Sequence, residues 1–178
     1  MDYAQFKDLV LRRQSCRNFS GKLVEKEKIT MLCEVARLTP SACNSQPWKI
    51  YGVSSQEKID LITQSLQDNG RNAFLSKAGG YIVVSGTKAR LLKDVVHKYD
   101  EMHFVKYDVG QTLAYITLCA ESMGLASCLI GYINQEKLRS ACGMEDGEEC
   151  NVVVALGYSD IPVREKSRKP YQSVVKEL

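Results

Sequence analysis

Residues 108–131 read DVGQTLAYITLCAESMGLASCLIG. Val109, Leu113, Ile116, Ala120 and Met123 recur at alternating spacings of four and three, the stripe of a long amphipathic helix. Gly124 stops that helix, because glycine enters the left-handed conformation without a Cβ penalty. The period then changes, and Ala126–Ile130 reads as a short apolar strand. A four-three stripe can pack into its own chain or against a second copy, and self-association is the favoured expectation.

Working outward, the run Tyr81-Ile82-Val83-Val84 between glycines is predicted to be a buried strand, followed by a helix over residues 89–99. Trp48–Val53 reads as another strand. Ser54 and Glu57 have the spacing of a capping box, opening a helix with Ile59, Ile62 and Leu66 on one face that ends at Asn69-Gly70. Upstream, Phe6, Leu9 and Val10 follow a possible cap at Asp2. Ile29, Leu32, Cys33 and Ala36 form a second helical stripe, stopped before Pro40. Downstream, a short helix capped by Asn134 precedes a strand over residues 152–156. Four strands among five or six helices predict an α+β fold in layers. After Gly157 two prolines and five basic residues mark an extended arm, residues 160–178, suited to wrapping a partner.

The 178 residues predict a single domain spanning 1–178, without internal repeat or linker. A hydrophobic fraction of 44% with 25% charged residues excludes collagen-like and disordered classes. The net charge of +3 is too small to imply nucleic acid as a partner. Without a long apolar run or a cationic leader, no membrane association is expected and a cytoplasmic location is. Seven cysteines without a C-x-x-C pair read as reduced thiols, largely packing groups. The two histidines lack H-E-x-x-H spacing, and neither G-x-G-x-x-G nor a P-loop occurs. No metal site is expected, and no side chain is singled out as a catalytic acid or base.

Three clusters remain. Arg12, Arg13, Gln14, Ser15 and Arg17 close the first helix, and guanidinium forks beside a serine hydroxyl suit a phosphate monoester. A solvated helix C-terminus would favour the same cations. The loop Pro40-Ser41-Ala42-Cys43-Asn44-Ser45-Gln46-Pro47-Trp48 combines small residues with two amides that both donate and accept, as a flavin or base edge requires. A proline-bounded turn uses the same residues. Arg164, Lys166, Arg168 and Lys169 make the arm basic. They read either as a solvated charge run or as the second half of one anion site.

At these clusters the chain resembles the FMN-dependent nitroreductases. The resemblance rests on R-x-S-x-R-x-F (Arg13, Ser15, Arg17, Phe19), on P-S-x-x-N-x-Q-P-W (Pro40 through Trp48), and on Leu156-Gly157-Tyr158 followed by Lys166-Ser167-Arg168. The helix and strand quoted first also look like the family's dimer helix and flavin-facing strand. The resemblance implies a three-layer α/β/α fold around a mixed, largely antiparallel sheet, with an exchanged C-terminal arm. It further implies a homodimer with two FMN sites at the subunit interface.

Carried over by position, Arg13, Ser15, Lys166 and Arg168 would hold the phosphate, with Gln14 close to it. Arg17 would reach the ribityl chain and the N1/O2 edge. Pro40, Ser41, Ala42 and Asn44, with Gln46 in the same loop, would face the flavin of the other subunit. Leu129, Ile130 and Gly131 would pass near N5. Gln14 stands where the family more often has a basic residue, and Asn69 and Asn72 are alternative counterparts of a flavin-edge asparagine. The implied activity is ping-pong hydride transfer from NAD(P)H to a nitroaromatic, quinone or similar small acceptor. The alternative is a non-catalytic flavin-binding redox or sensor module.

Overall fold

Four strands and six α-helices make up the computed structural model, which describes residues Met1–Leu178. In chain order they are α1 (Tyr3–Arg12), α2 (Lys26–Arg37), β1 (Trp48–Val53), α3 (Gln56–Leu66), β2 (Gly80–Gly86), α4 (Lys93–Val96), α5 (Val105–Ser122), β3 (Ala126–Ile130), α6 (Gln135–Cys142) and β4 (Val153–Gly157). The sheet order is β1-β2-β4-β3 and every pair of strands is antiparallel. A parallel component survives only as an isolated bridge between Ser15 and Ser127.

Side chains alternate across a strand, so β2 and β4, in the middle, each supply two cores. Tyr81, Val83, Val153 and Ala155 pack with Ile62, Leu66 and Leu138 from α3 and α6. Ile82, Val84, Val154 and Leu156 face the other way, onto Leu32 of α2 and Leu113, Ile116 and Ala120 of α5. All seven residues of β2 are buried, which explains its unbroken apolar run. The result is the expected three-layer α/β/α arrangement. No helix is long and apolar enough to cross a membrane.

Three local expectations are corrected. The stripe of α5 packs into its own sheet rather than against a second copy; Phe6 and Val10 of α1 and Tyr107 and Tyr115 of α5 remain exposed. Only Lys93–Val96 of the segment 89–99 is helical. Ala89 donates its N–H to Glu101 O at 2.9 Å, which closes a loop, and Leu92 and Val96 find no core to bury against. The capping box at Ser54 does not form. Ser55 is the N-cap of α3 and makes no side-chain cap bond, leaving Glu57 one position short of the residue that reaches back.

Two glycines permit the close crossing that brings the segment after α1 against the sheet. A Cβ on Gly79 would lie 2.2 Å from Lys22 O, and one on Gly157 2.8 Å from the ring of Phe19. Phe19 is itself 2% exposed.

A buried acid ties the far end of the sheet to the loop after α6. Glu148, with 1% of its side chain exposed, accepts from Tyr51 Oη at 2.7 Å, from Ser85 Oγ and from Glu145 N at 3.0 Å, with Lys49 Nζ at 3.3 Å. Burial alone would raise its pKa. The bonds from Ser85, Tyr51, Glu145 and Lys49 outweigh it and hold the carboxyl at about 2. A carboxyl depressed in the folded state stabilises fully above its ordinary value of 4.5 and loses that contribution as pH falls towards 2. Glu148→Gln is therefore expected to lower stability at pH 7 by about 1–3 kcal/mol. It should also flatten the fall in urea midpoint between roughly pH 4.5 and 2; an unaltered acid limb would refute this role.

Candidate functional site

The segment after α1 alternates because it runs beside β3. Asp2 and Gln5 close a reciprocal capping box on α1, and at its other end Arg13 leaves the helix with ψ 119°. Cys16 then donates its N–H to Ser127 O at 2.8 Å, and the residue is 1% exposed. Burying Cys16 turns the neighbouring Ser15 and Arg17 to the opposite side.

The arm returns along this segment. At its root, Tyr158 Oη donates to Glu25 and Lys28 Nζ lies 2.8 Å from the same hydroxyl. Ser20 N bonds Tyr158 O and Ser159 Oγ bonds Asn18 O, at 2.8 and 2.7 Å. Further along, the Gln14 amide donates to Pro162 O at 3.2 Å and accepts from Arg164 N and Nε at 3.2 and 3.1 Å. Arg164 Nη2 reaches Ser15 O at 2.9 Å, and Lys166 Nζ donates to Arg13 O.

Between the two strips lies an open cavity of about 330 Å³ without a hydrophobic side chain. Arg13, Arg17, Arg164, Lys166 and Arg168 line it, with Ser15 and a single acid, Glu165. The pKa of Lys166 is lowered by burial and then by Arg13, Arg168 and Arg164. Five cations gathered around one acid form a field that an anion would relieve.

The structure thus brings together Arg13, Gln14, Ser15, Arg17, Lys166 and Arg168, from opposite ends of the chain. Leu129, Ile130 and Gly131 follow on the same sheet edge, with Leu129 exposed and Ile130 turned into the core. Pro40, Ser41, Ala42, Asn44 and Gln46 do not join them. Their loop precedes β1, the opposite edge strand, and three strand spacings separate β1 from β3 by about 14 Å. Cys43, Asn44 and Gln46 in this loop are left-handed, with φ of 53°, 50° and 51°. Each such residue with a Cβ costs about 1–2 kcal/mol.

The sequence offers Arg164 only as one of the basic residues of the arm that could complete an anion site, with no individual role, and it gives no sign of the part played by Gln14. The glutamine is a clamp on the arm, and its three partners include two backbone groups about 150 residues away. Of the two candidate asparagines, Asn72 donates to Leu66 O at 2.9 Å, while Asn69 donates to Tyr132 Oη at 3.2 Å beside Gly131. Cys16, Cys128 and Cys150 are buried, and burial pushes the Cys150 thiol up to about 12.

A family model described as the nitroreductase family matches residues 10–158. The oxygen-insensitive NADPH nitroreductase of Helicobacter acinonychis is 24% identical, over 92% of this chain and 92% of that protein. The iodotyrosine dehalogenase 1 homolog of Caenorhabditis elegans is 23% identical over 92% of this chain, which spans only 58% of that relative's length. A crystal structure from Exiguobacterium sibiricum, in complex with FMN, superposes with a TM-score of 0.81 at 20% identity over 97% of both chains.

Gln14→Ala removes all three bonds from that side chain to the arm. Trypsin is expected to cut after Arg164, Lys166 and Arg168 about tenfold faster than in the unaltered protein, since loss of one or two net hydrogen bonds shifts a local opening by that factor. Equal cleavage rates would show that the amide does not clamp the arm.

Proposed function

This chain belongs to the nitroreductase family, and on that premise we propose that it is an FMN-dependent NAD(P)H oxidoreductase. Its acceptors are nitroaromatics, quinones or similar small molecules, reduced in a ping-pong sequence. The observation that carries this reading is the meeting of Arg13, Ser15, Arg17, Lys166 and Arg168 in one wholly polar cavity. Forked guanidiniums, an ammonium and a hydroxyl fit the three oxygens of a phosphate monoester, and the absence of apolar lining suits the phosphate rather than a ring.

In this assignment Arg13, Ser15, Lys166 and Arg168 hold the phosphate. Arg164 keeps the arm against Ser15, and Arg17 sets a fixed positive charge towards the ribityl chain and the N1/O2 edge. Leu129, Ile130 and Gly131 line the ring's path along the β3 edge, with Asn69 the nearer of the two asparagines. When bound, FMN supplies the hydride exchange between NAD(P)H and acceptor.

The loop carrying Pro40, Ser41, Ala42, Asn44 and Gln46 precedes β1, at the opposite edge of its own sheet from β3, and lines no part of the cavity. Its amides and small residues are assigned to the flavin of a second copy, so the functional unit is a homodimer. The uncovered apolar side chains Phe6, Val10, Tyr107 and Tyr115 support that meeting of copies, as do Val174 and Val175 at the end of the arm.

Purified protein incubated with FMN is expected to become yellow and to consume NAD(P)H steadily with menadione or nitrofurazone; a protein that gains no flavin would defeat the proposal. Arg13→Ala should weaken FMN binding by about one to two decades in a spectroscopic titration, the worth of one charge-assisted phosphate contact. Unchanged affinity would contradict its placement at the phosphate.

A further inference from the structure

Two carboxylates are buried in this chain, and they are served very differently. Glu148 has donors on both oxygens. Asp108, 3% exposed in the first turns of α5, has one: the Ala42 N–H, 3.2 Å from each carboxylate oxygen. Burial pushes the Asp108 carboxyl up, and the Ala42 bond works against that shift. A carboxylate withdrawn from water for a single backbone donor is an expensive way to fill space, even near a helix N-terminus that favours negative charge.

What that donor belongs to gives the arrangement its meaning. Ala42 opens the turn in which Cys43, Asn44 and Gln46 are all left-handed, a conformation that residues with a Cβ leave unless something holds them. The other polar ties of the turn are weaker anchors. Gln46 N bonds Ser41 Oγ at 2.8 Å within the loop itself, and Ser45 Oγ accepts from Arg90 N in the irregular segment before α4. Asp108 alone links the turn to a packed helix, and Thr112 Oγ1 donates to Asp108 O at 3.0 Å.

We propose that Asp108 is a positioning residue for the loop of residues 40–46: its buried carboxylate grips the Ala42 N–H and keeps the left-handed turn in the form that presents Ser41, Ala42 and Asn44 to a flavin. The presentation half of this proposal rests on the function assigned above; the grip itself does not. In a dimer of the kind proposed, Asp108 of one copy would set the flavin environment of the other.

The test separates the two. Amide hydrogen exchange on the flavin-free full chain is compared for Asp108→Ala and Asp108→Asn, the second of which keeps a carbonyl oxygen to accept from Ala42. Asp108→Ala is expected to lower protection of the Ala42 amide at least about tenfold while leaving Val83 and Ile116 in the core unchanged; Asp108→Asn should stay within about threefold of the unaltered protein.

With FMN added, Asp108→Ala should weaken FMN binding about tenfold and alter the flavin absorption bands, leave the affinity for inorganic phosphate unchanged, and be rescued by Asp108→Asn. The proposal is overturned if Ala42 protection survives in Asp108→Ala, if the core amides lose protection with it, or if Asp108→Asn fails to restore the FMN affinity. An unaltered protein that binds no FMN would instead sink the functional assignment, with the exchange data still deciding whether the grip exists.

Discussion

Like charges are held together in this molecule by neutral groups. Arg13, Arg17, Arg164, Lys166 and Arg168 share one cavity with a single acid, and the contacts that keep them there are to the carbonyls of Arg13 and Ser15 and to the amide of Gln14. Nothing in that set cancels the charge. Burial, and then the neighbouring Arg13, Arg168 and Arg164, lower the pKa of Lys166, so the cavity carries a concentrated positive field. The fold beneath it supplies the stiffness that holds the two strips together, alongside the bonds of Gln14, Arg164 and Lys166.

That stiffness comes from the sheet. β2 and β4 are buried on both faces, and Gly79 and Gly157 let the segment after α1 cross close enough for Phe19 to enter the core and for Tyr158 to meet Glu25 and Lys28. Cys16 pins the intervening stretch to β3, and the alternation of that stretch decides which of its side chains face the arm. At position 14 a further charge would add repulsion, whereas the Gln14 amide satisfies an arginine and two backbone groups at once.

The polar cavity and the loop of residues 40–46 lie at opposite edges of one sheet. The polar cavity is lined by residues of a single chain, while the loop of residues 40–46 precedes the strand at the other edge. In the proposed homodimer each chain would supply both regions, one to each of the two proposed flavin sites.

Much of this was legible in the residues alone. The alternation of Arg13, Ser15 and Arg17 about Cys16, the basic run of the arm, and the small and amide residues between Pro40 and Trp48 are written in side-chain type and spacing, and so are the β2 run and the stop at Gly124. Other features were settled only by the tertiary structure: the direction of the α5 stripe, the reduction of residues 89–99 to one helical turn, the clamp made by Gln14 and the grip of Asp108 on Ala42. Sequence patterns record what a side chain prefers to be near. They carry no mark of which distant backbone N–H or carbonyl will be left without a partner once the layers have packed, and each of those late-decided contacts answers such a group or depends on which face the packing left open.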